Sequence, residues 1–100
     1  MAKIITLEEA IALTQAYQNS EIGKGQTISA DVSTIDLELI LKQQSCVGLR
    51  IYNALEENNT VNFVLIGYDE NGNDITNGII LNFLTSNPKN RTGNKSLLEL

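Results

Sequence analysis

The chain has 100 residues, 42% of them hydrophobic and 19% charged, with a formal net charge of −5, one cysteine and no histidine. That length fits one compact core, and the composition is globular, outside the low-hydrophobicity, high-charge corner in which chains stay disordered. Lack of histidine removes the commonest general base and metal ligand, and a lone Cys46 excludes an internal disulfide, a zinc knuckle and a redox pair.

Thr6-Leu7-Glu8-Glu9 is a capping box: the threonine hydroxyl can accept from the Glu9 amide while the Glu9 carboxylate reaches back. It predicts a helix over 7–19, with Ala10, Leu13 and Tyr17 as an inward stripe flanked by Leu7 and Ile11. Asn19, Ser20, Gly23 and Gly25 end it, and the alternation of Ile28, Ala30 and Val32 predicts a short strand or extended lead-in over 27–32. Ser33, with Asp36 three residues on, starts a second helix over 34–44 that carries Leu37, Ile40 and Leu41. Val47, Leu49 and Ile51 then alternate with Gly48, Arg50 and Tyr52, which predicts a strand over 46–55. After the polar turn Glu56-Glu57-Asn58-Asn59, a strand over 60–68 closes an antiparallel hairpin. Asp69-Glu70-Asn71-Gly72-Asn73-Asp74 is turn chemistry, and a third sheet strand returns over 77–84.

These elements give an α+β fold, two helices packed on an antiparallel sheet of three to four strands, with residues 1–84 as a single domain and 85–100 as a flexible tail. The central strand is apolar front and back: Val61, Phe63 and Leu65 on one side, Val64, Ile66 and Tyr68 on the other. Two short helices blanket one sheet face, so the side near Arg50, Tyr52, Val64 and Ile66 is expected to stay partly apolar and open.

Residues 1–84 hold eleven acids against four bases, and the only basic cluster is Lys89, Arg91 and Lys95 near the end. An acidic body without a basic, aromatic-studded strand argues against nucleic acid. No window approaches the ~18 apolar residues of a membrane-spanning helix, and the Met-Ala-Lys-Ile-Ile opening reaches acids by residue 8, so the cytoplasm is the expected compartment.

Cys46 opens an apolar strand with no histidine to activate it and reads as core. Asp69, Asn71, Asn73 and Asp74 place oxygens as a calcium loop would, but Asp74 stands where that loop needs glycine and Ile80 where it needs glutamate. Gly23-Lys24-Gly25 lacks the third glycine of a dinucleotide fingerprint and reads as a linker. The pairs Glu8/Glu9, Asp36/Glu38 and Glu56/Glu57 read as caps and solvated faces. Arg50 is the exception among the charged residues. It interrupts a hydrophobic strand beside Tyr52, where a guanidinium fork can hold a carboxylate or phosphate, with Tyr68 as a further companion.

The run Gln44-Ser45-Cys46-Val47-Gly48-Leu49-Arg50-Ile51-Tyr52, followed by Val64-Leu65-Ile66-Gly67-Tyr68-Asp69-Glu70-Asn71-Gly72-Asn73-Asp74, resembles a group of small Bacteroidetes proteins whose function is not established. Thr6-Leu7-Glu8-Glu9-Ala10-Ile11 and Tyr17-Gln18-Asn19 are similar too, so the resemblance covers about residues 6–80 and implies a bacterial protein. Many members end in a cysteine- and proline-containing stretch, whereas this chain runs Thr85-Ser86-Asn87-Pro88 without cysteine.

With no catalytic, cofactor or metal signature, the expected function is a non-catalytic protein-interaction module. It joins copies of itself, or a protein partner, through a sheet face or edge, with Arg50, Tyr52, Val64, Ile66 and Tyr68 as the candidate surface. The alternative is a binder of small anionic ligands on the same residues, and a third reading is an enzyme using carboxylate, tyrosine or lysine chemistry.

Overall fold

A computed structural model of the chain describes residues 2–23 and 29–83. They belong to two compact units, one drawn from Met1–Ser29 and the other from Ala30–Thr85. The expectation of a flexible tail over 85–100 lies outside the described residues, as do residues 27 and 28 of the expected first strand.

In the first unit, helix α1 runs over Leu7–Gln18. The capping box forms as the sequence predicts: the Glu9 amide donates to Thr6 Oγ1 at 3.1 Å and the Thr6 amide donates to Glu9 Oε1 at 3.1 Å. The inward stripe differs from expectation. Leu13 is 63% exposed, and Leu7 and Tyr17 are exposed too, while Ala10, Ile11, Thr14, Gln15 and Gln18 are half-buried. After the helix, Ser20 Oγ donates to the Tyr17 carbonyl and accepts from the Gly23 amide, which brings Gly23 against the Tyr17 ring.

The second unit begins at Ala30, and residues 29–32, the described part of the expected first strand, form no strand. Helix α2 follows over Thr34–Leu41, with Ser33 Oγ accepting from the Asp36 amide at 3.1 Å. It stops three residues short of the predicted 44 because Gln43 folds its side chain back, Nε2 donating to the Ile40 carbonyl at 2.9 Å, and Ser45 takes φ 73°. A side chain that satisfies a terminal carbonyl ends a helix as effectively as a further turn would continue it.

Three antiparallel strands make the sheet, β1 (Gly48–Leu55), β2 (Val61–Tyr68) and β3 (Ile80–Phe83), in the order β1-β2-β3. The predicted hairpin is present, with Gly48 opposite Tyr68 and Leu55 opposite Val61. Its loop is closed by the Asn59 amide donating to the Glu56 carbonyl and by Asn59 at φ 66°, a left-handed position that asparagine tolerates. β1 starts at Gly48 and not at 46, because the left-handed turn at Ser45 delays entry into the ladder, although the Val47 amide already reaches the Tyr68 carbonyl at 2.9 Å.

The third strand departs most from expectation. The chain does return beside β2, but it pairs first at Asp74 opposite Tyr68, with the Ile75 amide on the Gly67 carbonyl, and then leaves the ladder before Ile80 re-enters opposite Ile66. Residues 77–79 therefore lie in a loop where the sequence predicts strand. Gln43 holds that loop: its Oε1 accepts from the Ile79 amide at 2.7 Å.

Helix α2 packs on the sheet side that carries Leu65 and Gly67. Ile40 is fully buried, and a Cβ placed on Gly67 would meet Cys46 Sγ at 2.8 Å and Ile40 Cγ2 at 3.3 Å, so the helix approaches closely only because position 67 has no side chain. An eight-residue helix is about 12 Å long, whereas an eight-residue strand spans about 26 Å. Coverage is accordingly partial. Leu65 is buried, yet Ile51 and Leu55 on the same side of β1 remain 60% and 67% exposed.

Candidate functional site

The ladder puts Arg50 opposite Ile66, Tyr52 opposite Val64 and Gly48 opposite Tyr68, so all five residues singled out by sequence share the sheet side away from α2. Their exposure corrects one expectation. Ile66 is only 6% exposed and Val64 is half-buried, so the greasy opening expected there is absent. Two polar groupings lie along this side.

The first is built around Arg50. Its Nη1 donates to Asp74 Oδ1 and, at 3.1 Å, to the Gly72 carbonyl, while the Tyr52 hydroxyl donates to Asp74 Oδ2 at 2.6 Å. Both oxygens of one carboxylate are thus taken by two neighbours on β1. From the other flank the Tyr68 ring lies against the guanidinium, with Arg50 Cζ 4.7 Å from its centroid. Tyr68 can lie there because its cross-strand partner is Gly48, over which the ring passes; any Cβ at 48 would strike it.

Asp74 arrives by way of its loop. The Asp69 carboxylate accepts from the Asn71 and Asn73 amides at 3.0 Å each, the Gly72 amide donates to the Asp69 carbonyl, and Gly72 takes φ 82°. Asp69 is therefore occupied in shaping the turn that aims Asp74 at Arg50. Hydrogen bonding from Tyr52, and then Arg50, holds the Asp74 carboxyl below the usual aspartate range. The same hydrogen bond to Asp74 raises Tyr52, assisted by partial desolvation, and raises Arg50 as well.

The second grouping surrounds Asn62, only 2% exposed. Its Nδ2 donates to Glu56 Oε1 at 2.6 Å, and its Oδ1 accepts from Asn82 Nδ2 at 3.1 Å, so β1's end, β2 and β3 are tied by side chains. A buried amide with both ends bonded is tolerated, and one left unbonded is costly. This network was not legible in advance. Asn62 sits in an apolar run that reads as a greasy strand, and its partners come from across the sheet.

Chemically, the Arg50 cluster is neutral within itself. A carboxylate or phosphate approaching Arg50 competes with Asp74, already bonded through Oδ1, and the adjoining open groove of about 500 Å³ is lined by Gln44, Ser45, Asp69, Asp74, Ile75, Thr76 and Asn77, whose carboxylates repel anions. A second open groove of about 450 Å³ runs along α2 between Ile35, Glu38, Leu39, Lys42 and Gln43. Cys46 is half-buried with Sγ 3.3 Å from the Gly48 carbonyl. Among the described residues, no group of three or more histidine, cysteine, aspartate or glutamate side chains is placed to hold a metal ion, and no helix is long and apolar enough to cross a membrane.

No protein-family model, curated protein or solved structure matches this chain. A functional reading therefore stands on the geometry of the sheet.

Proposed function

We propose that this chain is a non-catalytic interaction module that associates with copies of itself through its sheet. The observation that supports this most directly is β1: an eight-residue edge strand with Ile51 and Leu55 largely in solvent and Tyr52 exposed beside them. Edge strands of soluble proteins are usually short, charged, interrupted by proline or covered, because an open edge recruits another strand. Few core residues support the second unit, with Ile40, Leu65 and Ile66 the buried hydrophobic side chains among the described residues, so burying more apolar surface on association would add stability.

Anion binding is the weaker reading, since the one cation on the sheet, Arg50, faces a carboxylate of its own chain. Light scattering across a dilution series tests the proposal. A molar mass that is a multiple of 11.0 kDa at high concentration and falls on dilution is the expected result; a monomer at every concentration overturns it.

A further inference from the structure

Building on the proposal of self-association, we infer where the seam lies: β1 pairs antiparallel with β1 of a second copy about a two-fold axis at Tyr52, joining two three-stranded sheets into one of six strands.

Hydrogen-bond parity carries the argument. The Glu56 amide donates to the Thr60 carbonyl, in the register that sets Leu55 opposite Val61, while on the other side of β2 the Gly67 carbonyl accepts from Ile75. In an antiparallel ladder the bonded positions alternate. Even-numbered β1 residues therefore turn their main-chain groups toward β2, and Leu49, Ile51, Asn53 and Leu55 turn theirs outward. Among the described residues nothing meets those four outward-facing main-chain positions. The strand also lacks the features that blunt an edge. It contains no proline, lysine or acid, and its one charge, Arg50, is matched by Asp74 on the sheet side away from α2.

A second copy suits this edge because a two-fold antiparallel pairing needs outward positions to face outward positions, which restricts the axis to a few residues. With Tyr52 on the axis, Leu49 faces Leu55 of the other copy, Ile51 faces Asn53 and Arg50 faces Ala54, so no like charges are opposed. Shifting the axis to Ile51 draws the Val47–Gly48 end into the pairing, where two successive residues oppose Tyr68 and the ladder is already distorted. The Tyr52 axis keeps the pairing within the regular strand. It also places Leu55 and Ile51, the most exposed apolar side chains of β1, against partner side chains on the α2 side of the joined sheet.

Cysteine cross-linking tests the register. Tyr52 on the axis is a non-hydrogen-bonded pair, the closest kind, with Cα atoms about 4.5 Å apart. In a Cys46→Ser background, Tyr52→Cys should form an intermolecular disulfide under diamide at least tenfold faster than Asn71→Cys at the tip of an exposed loop. Asn53→Pro removes an outward amide without touching the β2 ladder, and Ile51→Lys places a charge on the seam without changing the backbone. Each should raise the dimer dissociation constant at least tenfold with the far-ultraviolet circular dichroism of the folded chain unchanged; if the proline variant unfolds, the lysine variant decides. An oligomer that survives both substitutions, with Tyr52→Cys cross-linking no faster than Asn71→Cys, overturns the seam while leaving self-association standing. A wild-type chain that stays monomeric overturns both.

Discussion

Gly67→Ala is the most informative single change for the fold. The added methyl meets Cys46 Sγ at 2.8 Å and Ile40 Cγ2 and Gln43 Nε2 at 3.3 Å, against the ~3.5–4.0 Å at which such atoms sit comfortably. None of these atoms yields easily: Ile40 is fully buried, Gln43 is bonded to the Ile40 carbonyl and the Ile79 amide, and Cys46 is on a short side chain. Overpacking of this kind costs about 1–3 kcal/mol, and replacing glycine in a strand returns roughly 0.5–1 kcal/mol by narrowing the unfolded ensemble. Taking the middle of each range, the net expectation is a loss of about 1 kcal/mol, which for a domain of this size lowers the midpoint by several degrees at roughly 4–8 °C per kcal/mol. Urea unfolding at fixed protein concentration, followed by circular dichroism, measures it. Cys46→Ala removes the closest obstacle, so the double variant should be more stable than the sum of the two single effects by about 1 kcal/mol. A neutral Gly67→Ala, or strict additivity with Cys46→Ala, would refute the close approach of α2 to β2.

Asn62→Ala leaves Glu56 and the Asn82 amide without their buried partner and should cost roughly 1–3 kcal/mol in the same urea experiment, more than Asn58→Ala in the exposed hairpin loop. Gln43→Ala frees the Ile79 amide; hydrogen exchange at Ile79 should accelerate while exchange within β2 holds its rate. Asp74 has its pKa lowered in the folded state, so its contribution to stability is complete above the ordinary aspartate range and lost as pH falls through the depressed value; Asp74→Asn should flatten that acid limb of an unfolding titration. Tyr52 is shifted the other way, so its contribution is complete below the ordinary tyrosine range and lost as pH rises through the raised value. Its tyrosinate absorbance should appear at higher pH than that of a tyrosine in the unfolded chain, and Asp74→Asn should bring it back down.

Much of this was written locally. Thr6 and Ser33 announce both helix starts because a cap needs only a hydroxyl and an amide three residues on. Alternation in residues 47–52 and the apolar run at 61–68 announce the strand pair, and period two places Arg50 and Tyr52 on one side of β1, to which the register adds Tyr68. A lone arginine in an apolar strand also announces that some counter-charge must reach it.

Which carboxylate answers Arg50 was decided by tertiary structure, since Asp69 and Glu70 are nearer in sequence than Asp74 and only the Asp69-centred turn selects Asp74. The same holds for residues 77–79, the start of the expected third strand, where Gln43 from the end of α2 holds the Ile79 amide. Residue pattern specifies what a segment can pair with and which way its side chains alternate. Register, and how far a short helix extends over a longer strand, depend on distances between segments that no local pattern encodes, and those distances are what bury Leu65 beneath α2 and leave Ile51 and Leu55 on the same side in solvent.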